Sequence, residues 1–123
     1  MKRILIVDDI PSNRKIATVI LGKNGWDTTE AIGGPEALAR EDLSSFSHVL
    51  LDINMPEIDG IEVCHRLRAQ ADLSHLRIVA YTAHAMENEK NQIMSEGFDD
   101  IVIKPISVAS LLAALEGQKQ EQD

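Results

Sequence analysis

His48-Val49-Leu50-Leu51-Asp52-Ile53-Asn54-Met55-Pro56-Glu57-Ile58-Asp59-Gly60 decides the fold of this chain. Val49, Leu50 and Leu51 show no polar alternation, so the strand they form needs cover on both faces, as in a parallel sheet. Met55-Pro56 and Asp59-Gly60 break that strand, and a helical pattern resumes at Ile61. Asp52 is thereby delivered to the C-terminal end of a buried parallel strand, the edge at which α/β proteins place ligands and chemistry. A lone carboxylate at such an edge is more often a cap than a reactant. Its role depends on what the other strand ends bring beside it.

Working outward, Ile4–Val7 is an aliphatic run ended by Asp8-Asp9, and Pro11 or Ser12 opens a helix in which Ile16, Val19 and Ile20 fall at helical spacing until Asn24-Gly25 stops it. Trp26–Ala31 reads as a more exposed strand at a sheet edge. Gly33-Gly34-Pro35 starts a short helix to about Glu41, with Ala37 and Leu38 inward. Beyond the opening stretch, a helix from about Gly60 to Gln70 buries Val63, Cys64 and Leu67. Ile78–Tyr81 is a fourth strand ending at Thr82-Ala83. Met86–Glu96 is a polar helix with only Met86, Ile93 and Met94 to anchor it, which predicts low local stability. Ile101–Ile103 is the fifth strand, ending in Lys104-Pro105, and Val108, Leu111, Leu112 and Leu115 form a final helical stripe. Strand and helix alternate with short connections, the signature of crossover units around a parallel sheet. The expectation is one domain over residues 1–117, then a short polar tail, residues 118–123, too short for an output module.

Composition narrows the functions. With 123 residues the chain can bury a single core, and with 3% aromatic content that core is aliphatic. A net charge of −8 argues against nucleic acid and anionic membranes as partners, since both need basic patches. The one cysteine, Cys64, permits no internal disulfide and reads as a small buried hydrophobe. No run reaches the length of a membrane span, and Asp8-Asp9 interrupts any signal-peptide pattern, so a cytoplasmic protein is expected.

The strand ends carry Asp8-Asp9, Asp52, Thr82 and Lys104. If the first strand is central, they converge where the strand order reverses. At about 4 Å and an effective dielectric near 20, each like-charge pair costs on the order of 4 kcal/mol. Lys104 alone does not neutralise three carboxylates, so one must take a proton or a hard divalent cation must bind. Oxygen ligands in small number suit Mg2+, which keeps several waters and is completed by phosphate oxygens. Asp52 is then a candidate nucleophile towards phosphorus, with Lys104 and Thr82 on phosphoryl oxygens.

Ile4-Leu5-Ile6-Val7-Asp8-Asp9, Leu51–Gly60, Thr82-Ala83 and Lys104-Pro105 together closely resemble the receiver domain of two-component response regulators, over nearly the whole chain. The resemblance implies a flavodoxin-like three-layer α/β/α fold with five parallel strands in the order 2-1-3-4-5. It implies that Asp52 accepts a phosphoryl group from a phosphohistidine on a histidine kinase or histidine phosphotransfer protein. Asp9 would ligate Mg2+ directly, Asp8 largely through water and Asn54 through its backbone carbonyl. Lys104 and Thr82-Ala83 would hold the phosphoryl group, and the peptide bond before Pro105 would be cis. By the same analogy Asn54 and His84 tune the lifetime of the phosphate, and Ile10, Asn13, Ile16 and Pro105 meet the phosphodonor, although Ile16 fits core packing equally well.

One position departs from the family pattern. Ile101 stands where a Tyr or Phe usually follows the threonine, so switching is expected to run through Thr82 and the weakly anchored fourth helix. His48, His65 and His75 lack metal-ligand spacing and read as structural or solvated. Other readings are a HAD-like Mg2+-dependent phosphohydrolase, a flavodoxin-like cofactor carrier, and a receiver-like binding module that is never phosphorylated. Asn54, where a hydrolase wants a second acid, argues against the first. The lack of a Gly/Ser/Thr-rich phosphate loop after strand one argues against the second, and the intact acidic set against the third.

Overall fold

The computed structural model describes residues 2–83 and 86–117. Five strands alternate with five helices: β1 Arg3–Val7, α1 Pro11–Lys23, β2 Asp27–Ala31, α2 Gly34–Leu38, β3 His48–Asp52, α3 Gly60–Arg68, β4 Arg77–Thr82, α4 Glu87–Met94, β5 Asp100–Ile103 and α5 Val108–Glu116. The sheet is parallel throughout, in the order β2-β1-β3-β4-β5. This is the flavodoxin-like arrangement, with β1 between β2 and β3 and the order reversing between β1 and β3. No helix among the described residues is long and apolar enough to cross a membrane. The tail expected at residues 118–123 lies outside the described residues.

Pleating divides the core in two. Leu5, Val7, Val49, Leu51, Ile78 and Ala80 face a cluster completed by Ala37, Val63, Cys64, Leu67 and Ile93. Ile4, Ile6, Leu50, Val79, Tyr81 and Val102 face the opposite cluster, with Ala17 and Leu21 of α1 and Leu111, Ala114 and Leu115 of α5. Successive residues of a strand point to opposite faces, so the continuous apolar runs of β1 and β3 supply both clusters at once. Trp26 closes the second cluster beneath His48, whose ring meets the indole edge-to-face at 4.7 Å.

The α1 stripe runs differently from the sequence reading. Ala17 and Leu21 are the buried residues, whereas Ile16 and Val19 are 49% and 44% exposed. The small Ala17 side chain lets α1 lie close on the sheet, so the helix face is set by fit rather than by the largest apolar residues. Core packing for Ile16 is thereby excluded. In α5 the same correction applies to Val108, which is exposed, while Ala114 is buried. Pro11 starts α1 at its first turn and Ser12 lies inside the helix, so proline gives the start signal. Helix α2 ends at Leu38 rather than near Glu41, and the chain makes a single 3-10 turn at Leu43–Ser45 that buries Leu43.

Helix α4 is held even more loosely than its composition suggested. Of the three expected anchors only Ile93 is buried, and Met86 and Met94 are exposed. Amide hydrogen exchange in Glu87–Met94 is expected to be faster than in β1, β3 and α5, because a helix with one buried apolar contact opens at low cost. Protection in α4 equal to that of β3 would contradict this account.

Candidate functional site

Strand register builds the site. Val7 pairs with Leu51, so the chain leaves β1 and β3 with Asp8 beside Asp52, and Asp52 pairs in turn with Tyr81. Asp8, Asp52 and Thr82 are the buried polar residues at the strand ends. Carboxylate oxygens of Asp8, Asp9 and Asp52 all lie within 4.8 Å of one another. Lys104 follows β5 and reaches back across the sheet, its ammonium 3.3 Å from Asp52 Oδ1 and 3.5 Å from Asp8 Oδ2. The backbone N–H of Lys104 donates to the Thr82 carbonyl at 2.8 Å, which ties the lysine loop to the end of β4. The Lys104–Pro105 peptide is cis.

Local backbone explains why the loops hold these positions. Asp8 Oδ1 accepts from the Ile10 N–H at 2.9 Å, and Arg14 donates to the Asp8 carbonyl at 2.8 Å while pairing with Glu30. After β3, the Ile58 N–H donates to the Pro56 carbonyl around Glu57 at φ 69°, the geometry of a γ-turn. Asp59 then caps α3 by accepting from the Glu62 N–H. Gly60 packs against the Asp52 peptide itself: a Cβ there would sit 2.2 Å from the Asp52 carbonyl oxygen.

Burial and the neighbouring Asp8 charge push the Asp52 carboxyl up to about 6, with Lys104 opposing them. Asp8 Oδ2 makes no hydrogen bond and has only the Lys104 ammonium at 3.5 Å, and Asp9 Oδ1 is a buried oxygen without a hydrogen-bond donor. Buried carboxylate oxygens without donors are costly unless a cation satisfies them. The donor set is all oxygen, so these residues fit a hard divalent cation such as Mg2+.

Tyr81 was not picked out from the sequence. Its ring face lies under the Lys104 ammonium, 4.3 Å from the nitrogen. Tyr81 shares one face of β4 with Val79 and immediately precedes Thr82, but its contact with Lys104 arises only once β5 lies beside β4. Burial, with the charges of Asp8 and Asp52, holds its phenol up at about 12, so the ring is neutral at physiological pH. Arg14 was missed as well, since a helix-surface arginine carries no local mark of its bond to the Asp8 carbonyl.

The model for the response regulator receiver domain matches residues 4–116. This chain belongs to that family. Receiver-domain relatives include the polar-differentiation response regulator DivK of Brucella ovis, 32% identical over 93% of this chain and 93% of its own length. The sensor protein GacS of Pseudomonas syringae is 38% identical over 89% of this chain, which spans 12% of that protein. Among solved structures, the Vibrio cholerae chemotaxis protein CheY4 superposes with a TM-score of 0.87 at 28% identity, covering 97% of this chain and 99% of that one.

The other residues of this receiver domain divide by position. Ile10, Ile16 and Pro105 are exposed and Asn13 half-buried, at the start of α1 and in the loop after β5. Ala83 and Asn54 are exposed at the rim of the site, and a cleft of about 350 Å3 runs from Asn54 and Thr82 to Glu89, Gln92 and Ile93 of α4. Ile101 packs against the Ile93 cluster, on the sheet face opposite Tyr81. His84 lies outside the described residues. His48 Nε2–H donates to the Leu115 carbonyl and its Nδ1 meets the Ser47 hydroxyl, His65 pairs with Glu96, and His75 donates to the Phe46 carbonyl. None of these three histidines contacts the acidic cluster. Burial pushes the Cys64 thiol up to about 11, so it is inert at neutral pH.

Proposed function

We propose that this receiver domain works in phosphorelay signalling, with Asp52 as phosphoacceptor for a phosphohistidine on a histidine kinase or histidine phosphotransfer protein. The observation that carries this reading is Asp52 itself: a buried carboxylate beside Asp8 and Asp9, with the Lys104 ammonium 3.3 Å away. An Asp52 oxygen attacks phosphorus, the N–P bond of the phosphohistidine breaks, and the imidazole leaves with the bonding pair. Asp8, Asp9, Asp52 and the Asn54 carbonyl are the residues that would hold Mg2+. When bound, the cation supplies positive charge to the phosphoryl oxygens. Lys104 gives a second positive charge, and the Thr82 hydroxyl and the Ala83 N–H donate to phosphoryl oxygens. Even with its raised pKa, Asp52 is mostly ionised at neutral pH and thus competent as a nucleophile.

Residues 1–117 act as the receiver unit in this reading, in the cytoplasm, with Ile10, Asn13, Ile16 and Pro105 facing the phosphodonor. Exposure of Ile16 supports that surface. Transmission runs through Thr82 and α4, because Ile101 offers no aromatic rotamer and the cleft beside Thr82 leaves α4 room to move. Asn54 and His84 tune the phosphate lifetime. Asn54 also supports retention of the phosphate over its rapid hydrolysis, since an amide does not serve as general acid.

Incubation with acetyl phosphate and Mg2+, followed by intact mass measurement and peptide mapping, tests the reading. One phosphoryl adduct on the peptide containing Asp52 is expected; no adduct, or one elsewhere, overturns it. Metal binding is tested separately through stability. Mg2+ at a hundred times its Kd raises unfolding free energy by about 2.7 kcal/mol, and Asp9→Asn is expected to lose most of that rise in the same denaturation series.

A further inference from the structure

Lys104 has a long, rotamer-rich side chain with three donors and no fixed geometry of its own. Left free, its ammonium would pair with whichever carboxylate or solvent was nearest. Here it stands 3.3 Å from Asp52 Oδ1, 3.5 Å from Asp8 Oδ2 and 4.3 Å from the centre of the Tyr81 ring. The ring is 1% exposed and the lysine side chain 16%, so the contact is nearly dry. Asp52 and Tyr81 are register partners on adjacent strands, and Tyr81 is itself buried in the α1/α5 cluster that also holds Val79, Val102 and Leu111. Its position is therefore fixed by the core rather than by the lysine.

We propose that Tyr81 is a positioning residue, whose ring face holds the Lys104 ammonium between Asp8 and Asp52 before a phosphoryl group arrives. The inference deepens the reading of Asp52 as phosphoacceptor and rests on it. The electron-rich ring face attracts a cation most strongly where water is excluded. Three fixed partners, two carboxylates and a ring, define one place for a flexible chain end. Lys104 then needs little reorganisation to meet oxygens developing charge at Asp52, which is where preorganised charge acts on a rate. An aromatic residue thus serves the site from β4, on the sheet face opposite Ile101.

Two measurements on the full chain test this. In nuclear magnetic resonance spectra, the Lys104 ε-methylene protons are expected upfield of other lysines in wild type and Tyr81→Phe, and at the ordinary lysine position in Tyr81→Leu. The rate of phosphorylation by acetyl phosphate in saturating Mg2+ is expected to fall about tenfold in Tyr81→Leu and to stay near wild type in Tyr81→Phe. Phenylalanine keeps the ring and leucine keeps only apolar bulk, so a residue that merely fills the core would leave the Lys104 resonances unmoved among folded variants. Ordinary Lys104 shifts in wild type overturn the proposal without any variant, should Tyr81→Leu fold poorly. Equal rates in wild type and Tyr81→Leu overturn it too. A wild-type protein with upfield Lys104 resonances that takes no phosphoryl group instead overturns the reading of Asp52 and with it the effect on rate.

Discussion

A protein carrying Asp52→Asn is expected to take up no phosphoryl group and to be more stable than wild type when divalent cations are chelated. Loss of uptake follows from removing the attacking oxygen. The gain in stability follows from charge. Asp52 is buried against Asp8, and its carboxyl is raised from 3.8 to about 6 in the folded protein. Between these values the folded state binds more protons than the unfolded one, so stability falls as pH rises through that window. Ionised Asp52 thus costs roughly 1–3 kcal/mol above pH 6, by the shift and its partial screening. Asparagine removes that cost, and Lys104 keeps Asp8 as its partner. Urea denaturation in chelator should show the variant ahead by this amount at pH 8. The gap should narrow through pH 6 and close near pH 4, where both proteins are neutral at this position. A gap independent of pH would rule out carboxylate repulsion as its source.

Gly60→Ala is expected to destabilise the protein by about 3 kcal/mol or more, at the upper end of what overpacking does. Glycine to alanine in a helix interior ordinarily stabilises by up to about 1 kcal/mol. Here the added Cβ would meet the Asp52 carbonyl oxygen at 2.2 Å and the Asp52 carbonyl carbon and Ile53 Cα at 2.9 Å, all backbone atoms. The Gly60 N–H also donates to the Ile53 carbonyl at 2.9 Å, so helix and strand end cannot separate without losing that bond. Whatever movement admits the methyl group displaces Asp52. A misplacement near 1 Å lowers a positioned reaction by about a hundredfold, so phosphoryl uptake should fall together with the thermal midpoint. Calorimetry and acetyl phosphate labelling measure the two effects, and a stable, fully active Gly60→Ala would refute the close approach.

Much of this architecture was legible because one physical rule governs each stretch. Buried parallel strands are continuous apolar runs, and β1, β3 and β4 read correctly for that reason. The acidic cluster was legible once strand ends were placed on one edge, which the parallel order then requires. Helix faces were less so. Ile16, Val19 and Val108 are large and apolar yet face outward, while Ala17 and Ala114 are buried because close helix–sheet approach selects small residues. Tyr81 was invisible for a different reason. Its contact with Lys104 depends on two strands lying side by side, and nothing local to either residue announces it.

The loose seating of α4 has a consequence for how such a domain diversifies. Only Ile93 of Glu87–Met94 is committed to the core. The remaining positions are free to change without unfolding the sheet or disturbing Asp8, Asp9 and Asp52. The surface of this helix can therefore vary in sequence while the residues at the strand ends keep their places.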